Sequence, residues 1–381
     1  MAKQLTTIPE PVLADKIFAG MTPPSGISLE YLSTGPIATG RLASDLAFVN
    51  GKWLDLENWR YWIGGKRPRN RRDLMAPEAV IRVNEAFVSS SNQIVTLSGK
   101  TLHSPFIGSA PFLEPVLGTS VIDELDGTYG TILARARAYG HWLLHRLPRL
   151  TTLREQFPEA KILDTEWKDA GLLARLGVSE SDVQRYPAAE REQFVFVENL
   201  LVPTHLSRPG LTRVQDRHRL DRVVEAYAAG IPHDPSLPEL LYAARRPDER
   251  RPGVQNKAEL QDYLESRGFV TWYPADDPIE RQIQHFRAAR VVVSEIGSQA
   301  LTSMFAGPDT TIIILTPEKS KGWGSQRQFQ PKWRQWQRVV CEARGQHYAQ
   351  IIAASDTSYG SFELEMSVVT RAMETYPLRT W

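Results

Sequence analysis

Between residues 286 and 317 the chain reads FRAARVVVSEIGSQALTSMFAGPDTTIIILTP. The apolar runs at 291–293 and 312–315 have the continuity of strands buried on both faces, and the amphipathic segment 298–307 between them has helical spacing. The same alternation extends upstream. Strands are predicted over 161–167 (KILDTEW), 194–203 (FVFVENLLVP), 239–246 (ELLYAARR) and 269–274 (FVTWYP). Helices are predicted over 170–178, 216–229, 257–268 and 277–289. Alternation of this length implies βαβ units on a parallel sheet, with right-handed crossovers carrying helices to both faces.

Towards the N-terminus the pattern loosens. Residues 1–40, rich in Pro, Thr and Gly, read as an irregular arm, and 77–103 hold the short strand candidates AVIRV, AFVSS and QIVTLSG. A helix is predicted over 129–155, where Ile132, Leu133, Trp142, Leu143, Leu147 and Leu150 share a face; Pro148 should end or kink it. Pro232, Pro235 and Pro238 mark a linker. The expectation is two α/β domains with a boundary inside 205–238, taken as 1–220 and 221–381.

The 381 residues, 42% hydrophobic, suffice for two cores. With 45 basic and 44 acidic residues the formal charge is +1, which argues against a dedicated nucleic-acid binder. Cys341 stands alone, so a disulfide framework and a cysteine zinc site are excluded and a reducing compartment fits. No run approaches the ~18 apolar residues of a membrane span, and the N-terminus lacks an apolar signal core. The expected location is the cytoplasm. Peripheral contact with the inner membrane stays open, because the tract KRPRNRR (66–72) beside Trp53, Trp59 and Trp62 suits either a solvated loop or anionic headgroups. Self-association stays open too.

The turn SEIGSQ is the chemically unusual segment. It lies at the carboxyl end of a predicted strand, where open α/β sheets bind ligands. Short hydroxyls and main-chain amides at a helix start suit an anion, and Gly297 permits close approach. A simple helix cap by Ser298 is the plain alternative. Asn256 and Glu259 fit a capping box. His141 and His145, one helical turn apart, are candidate bases or interface braces; no third ligand supports zinc. The aromatic and basic residues of 321–338 suit a sugar site or packing alike.

Three ordered segments resemble the bacterial branch of glycosyltransferase family 61, the capsular polysaccharide biosynthesis type: YGHWLLHRLPRL (139–150), LYAARRPDERRPGVQNKAEL (241–260) and the opening stretch. Many family members carry His-Gly in the third segment, whereas Ile296 precedes Gly297 here. The resemblance implies a GT-B-like architecture, two Rossmann-like domains facing a cleft, with the acceptor on the N-terminal side and the donor on the C-terminal side. It implies an inverting glycosyltransferase that moves a sugar from a nucleotide-sugar co-substrate to a polysaccharide or glycolipid acceptor, with no mandatory metal or other cofactor. A non-catalytic nucleotide- or glycan-binding protein of the same fold is the alternative. A dinucleotide-dependent oxidoreductase is disfavoured, since no G-x-G-x-x-G follows a predicted strand near the start of either domain. The chemistry needs charge on the departing diphosphate stabilised and the acceptor hydroxyl deprotonated. On this reading Arg245, Arg246 and Arg251 meet the diphosphate, Ser294, Gly297, Ser298 and Gln299 complete its cradle, and His141 and Glu295 are the candidate catalytic residues. Of Arg245 and Arg246, strand geometry lets one reach the ligand directly.

Overall fold

The computed structural model describes residues 10–13, 22–23, 25–32, 44–49, 52–55, 78–89, 92–97, 100–103, 121, 123–133, 139–164, 173–185, 194–204, 217–246, 253–316, 331–352, 354–356 and 361–376. In chain order the strands are β1 (Glu10–Leu13), β2 (Ile27–Leu32), β3 (Ser44–Val49), β4 (Lys52–Asp55), β5 (Ala79–Ser89), β6 (Ile94–Thr96), β7 (Lys100–His103), β8 (Asp123–Thr131), β9 (Lys161–Asp164) and β10 (Val183–Arg185). There follow β11 (Phe194–Pro203), β12 (Leu240–Ala243), β13 (Gly253–Val254), β14 (Val270–Trp272), β15 (Val291–Glu295), β16 (Thr311–Thr316), β17 (His347–Ile352), β18 (Ala354–Asp356) and β19 (Ser361–Leu364). The chain divides into two compact units, one drawn from 1–38, 72–211 and 218–227, the other from 39–71, 212–217 and 228–381. The hairpin β3–β4 thus belongs with the second unit, although sequence order assigns it to the first.

The first unit is built on a mixed sheet in the order β1-β7-β6-β5-β11-β8-β9-β10, with β2 also on β5. Strands β11, β8, β9 and β10 run parallel to one another, as β1 does to β7, while β5 pairs antiparallel with β2, β6 and β11, and β6 with β7. A Rossmann-like arrangement is therefore confined to one half of this sheet. The two predicted strands 79–83 and 86–90 are one long strand, β5, whose halves pair with β2 and β6. Apolar side chains fill both faces: Ile81, Val83, Val195, Val197 and Leu200 on one, Val80, Ile162 and Leu201 against Leu150 and Leu153 on the other.

Residues 129–131, expected in a helix, close β8 instead. The helix begins at Tyr139, and Pro148 does not end it: it runs on to Gln156. Between Tyr139–His141 and Leu147–Gln156 lies a π-helical turn, Trp142–Arg146. Proline lacks the amide that Leu144 O would accept and its ring crowds that carbonyl; a wider turn relieves the clash and passes the bond one residue along.

This helix covers strand ends with arginines. Arg146 Nη1 donates to both oxygens of Asp164, which ends β9, at 2.9 and 3.1 Å. Arg149 is fully buried and donates to Leu133 O (2.6 Å) and Pro203 O (2.9 Å), beyond β8 and at the end of β11. From the helix Arg217–Ala228, Arg219 donates to Thr204 O at 2.5 Å. Burial, and then the charges of Arg146 and Arg219, push Arg149 down to about 9.

The second unit carries a sheet ordered β14-β12-β15-β16-β17-β3-β4, parallel throughout except for the terminal β3–β4 hairpin. Counting its five strands from β12 as they occur, the order across the sheet is 2-1-3-4-5. This is a doubly wound sheet whose winding reverses between β12 and β15. The helices Lys257–Glu265 and Met366–Glu374 pack on the face bearing Val291, Val293, Ile313 and Leu315. A small sheet, β13-β19-β18, lies apart from it. The predicted helix over 298–307 is a 3-10 helix, Gln299–Phe305.

Asp164→Ala should destabilise the first unit by about 3–5 kcal/mol, because it strands a buried guanidinium. Urea unfolding would measure this; a loss under about 1 kcal/mol would mean that Arg146 is satisfied without its carboxylate.

Candidate functional site

The reversal between β12 and β15 sends their outgoing connections to opposite faces, which opens a crevice beyond the strand ends. Two of the sequence-predicted segments meet there. β12 ends at Ala243 and delivers Ala244, Arg245 and Arg246; β15 ends at Glu295 and delivers Ile296 to Gln299. Hydrogen bonds join the two exits. Ser294 Oγ donates to Ala243 O (3.3 Å), Gln299 Nε2 to Ala244 O (3.2 Å), and Arg245 Nη2 to Ile296 O (3.0 Å).

Gly297 is what admits the arginine. A Cβ at this position would lie 1.5 Å from Arg245 Nη2, so the guanidinium rests directly on the glycine backbone. Arg245 is half-buried at this contact, whereas Arg246 is exposed and pairs with Asp276 after β14. The two arginines part as strand alternation requires. Ser298 makes no side-chain cap to the 3-10 helix. The first amides of any such helix lack a carbonyl one turn back, and here they follow Gly297.

Glu295 is 1% exposed. Its Oε1 accepts from Tyr242 Oη (2.9 Å) and from Arg245 N (3.4 Å), and lies 3.3 Å from Lys257 Nζ. Its Oε2 accepts from Val254 N (2.9 Å). Lys257 Nζ also donates to Arg245 O. Gly253 makes room for this carboxylate, since a Cβ there would fall 1.7 Å from Oε2, and its φ of +76° suits glycine. Burial, reinforced by the Glu295 charge, pushes the Tyr242 phenol far up, so it stays a donor. Enclosed in this way, Glu295 has the environment of a structural anchor.

Sequence reasoning missed Tyr242 and Lys257. One signal was available for the lysine: it opens the helix Lys257–Glu265, and a cation in a first turn opposes the helix dipole unless a carboxylate holds it. The capping box at Asn256 is absent. Its Nδ2 donates to Leu364 O (2.9 Å) and Glu259 (3.1 Å), and its Oδ1 accepts from Leu364 N (2.8 Å). The amide completes the end of β19 as a main-chain group would, and that pairing uses the oxygen a cap needs.

The remaining candidates fall elsewhere. His141 lies in the first turn of the motif helix in the other unit, and its side chain is outside the described residues, as are Arg250, Arg251 and the tract 66–72. His145 is buried in the π-helical turn. Residues 331–338 of the aromatic and basic stretch form the start of the helix Pro331–Arg344, and 321–330 lie outside the described residues. Cys341 is a buried thiol outside any disulfide, as expected. Among the described residues no cluster of His, Cys, Asp or Glu is placed to hold a metal ion, and no helix is long and apolar enough to cross a membrane.

Residues 139–313 match the family model described as Glycosyltransferase 61. This match supports membership of glycosyltransferase family 61. The match begins at the π-interrupted helix and ends inside β16, so it takes in the helix motif, β12 and the Glu295–Gln299 turn. No curated protein matches. Among solved structures the glycosyltransferase is similar to the iron-containing dodecameric glycosyltransferase TibC from enterotoxigenic E. coli H10407, with 9% identity and a TM-score of 0.28, over 62% of this chain and 75% of that one. A likeness that weak carries no argument about fold or chemistry.

A second polar cluster follows β14. Trp272 donates its indole N–H to Asp277 (2.7 Å) and stacks on His285 at 4.3 Å between ring centroids. Burial holds His285 below the usual histidine range; Arg281 lowers it further, and Asp277 and Asp234 oppose the shift. Burial likewise lowers His347. Folding thus favours both neutral imidazoles. Their contribution is full above the unfolded value of about 6.5 and is lost as pH falls below it.

Two outcomes follow for the second unit. Its thermal stability should fall as pH drops from about 6.5 towards 5, with a shallower slope in His285→Gln. Gly253→Ala should cost at least about 2 kcal/mol, from positive-φ strain plus displacement of Glu295, read as a lower denaturation midpoint. An unchanged midpoint would mean that the carboxylate can move aside.

Proposed function

We propose that this glycosyltransferase binds a nucleotide-sugar donor at the β12–β15 strand ends and transfers the sugar, with inversion, to a polysaccharide or glycolipid acceptor in surface-glycan synthesis. The observation that carries the reading is the Arg245 guanidinium seated on the Gly297 turn at the winding reversal. A planar guanidinium beside main-chain amides matches the oxygens of a departing diphosphate, whose charge grows in the transition state. In such a site the positive charge can come from the protein, which fits donor activation without a mandatory metal.

Roles follow from position. Arg245 meets the diphosphate, with the Gly297–Gln299 main chain on its other side. Arg246 and Arg251 contribute to the field at the donor. The acceptor side falls to the first unit, in keeping with a GT-B-like division of labour, and His141 on the family's helix motif takes the proton from the acceptor hydroxyl. Glu295 is enclosed by donors and serves the donor site without touching the sugar.

A panel of nucleotide sugars, scored by nucleoside diphosphate release with chelator present, tests this directly. Arg245→Ala should lower kcat about 10²–10³-fold on the active donor, as does removal of one preorganised donor to developing charge. Arg246→Ala, already paired with Asp276, should lose far less. Silence with every donor, or an Arg245→Ala enzyme as fast as the parent, would defeat the assignment.

A further inference from the structure

β12 makes its last ladder contact through Ala244 N, which donates to Trp272 O at 2.9 Å. The next residue, Arg245, has left the sheet, yet both its main-chain polar atoms are held. Glu295 Oε1 faces its N–H at 3.4 Å and Lys257 Nζ takes its carbonyl. Those two side chains are themselves an ion pair at 3.3 Å, almost wholly buried. The contacts close into a ring: carboxylate, ammonium, Arg245 carbonyl, Arg245 amide and back to the carboxylate. The members come from three elements, β15, the helix Lys257–Glu265 and the exit of β12. Tyr242 and Val254 fill the other positions on the carboxylate.

We propose that the buried Glu295–Lys257 pair is a positioning device, which grips the Arg245 peptide from both sides and thereby fixes where its guanidinium lies against the Gly297 turn. The inference rests on the donor site proposed above and adds a mechanism to it. Neither residue touches the ligand; both act through Arg245. A pair kept only to satisfy strand ends would support the fold without regard to which side chain position 245 carries. A pair that aims the arginine loses its effect on the ligand once that side chain is gone.

The experiment is a double-mutant cycle on the full chain. UDP, GDP, ADP and CDP are titrated calorimetrically against the parent, Arg245→Ala, Glu295→Gln, Lys257→Met and the combinations with Arg245→Ala, with thermal melts recorded for each. Glu295→Gln and Lys257→Met should each weaken the bound nucleoside diphosphate about tenfold, and add less than about twofold in the Arg245→Ala background. Tyr242→Phe, which removes a donor to the same carboxylate without reaching Arg245, should bind within about twofold of the parent. If Glu295→Gln fails to fold, Lys257→Met decides, because it keeps the side-chain stem and leaves Glu295 three other donors. Single variants that bind like the parent, or losses undiminished in the Arg245→Ala background, overturn the positioning role while leaving the donor site intact. A parent chain that binds none of the four diphosphates overturns the donor site, and this role with it.

Discussion

A parallel strand that stops leaves main-chain groups which the sheet no longer pairs, and a buried strand end must find partners for them elsewhere. In both units of this chain the partners are buried charged side chains. In the first, Arg149 and Arg219 take main-chain carbonyls beyond β8 and at the end of β11, while Arg146 pairs with the carboxylate of Asp164, the last residue of β9. In the second, Glu295 and Lys257 serve the exit of β12 and the start of β13. The segments that resemble the family are largely these residues and the glycines that make room for them. Part of what reads as a catalytic motif in sequence is thus the means by which strand ends are closed without water.

Such closure is stabilising only as a set. A buried ion pair gives up hydration that its mutual attraction barely repays, and it becomes favourable when its remaining hydrogen-bonding capacity is filled. Glu295 meets that condition with four donors from three elements. Arg149 meets it with two carbonyls, although burial, and then the neighbouring guanidiniums, still weaken its hold on the proton. Arrangements of this kind specify one geometry, because each alternative leaves a charge or a carbonyl unmet. That requirement is also what makes them suitable for holding a reactive side chain in place.

The elements read most directly from sequence were those with continuous apolar runs, β11, β15 and β16, where burial on both faces erases any alternation that could mislead. The meeting of Arg245 with the Gly297 turn was legible too, since both lie at carboxyl ends of strands that a doubly wound order makes neighbours. What was not legible depends on distant partners. The β3–β4 hairpin completes a sheet whose other strands begin about two hundred residues later, and no local pattern encodes that register. Residues 129–131 carry apolar spacing compatible with a helix, but pairing with β9 and β11 decides for a strand. Asn256 has the spacing of a cap and is diverted by Leu364, more than one hundred positions away. Glu295 looked available for chemistry because nothing nearby in sequence announces Tyr242, Val254 and Lys257 around it.

The two glycines bring the sheet and the site under one constraint. Gly253 and Gly297 would each place a Cβ well inside contact distance of a charged group, a carboxylate oxygen in one case and a guanidinium nitrogen in the other. A carboxylate facing a diphosphate would repel it, so the proposed donor site requires the acidic residue at this strand end to be turned inwards and neutralised. Gly253 allows Glu295 to turn inwards and Lys257 supplies the opposing charge; Gly297 allows the Nη2 end of Arg245 to rest against the turn beside it. Two buried charges of opposite sign and one half-buried cation leave the strand ends net positive, which is the sign that a phosphorylated leaving group requires.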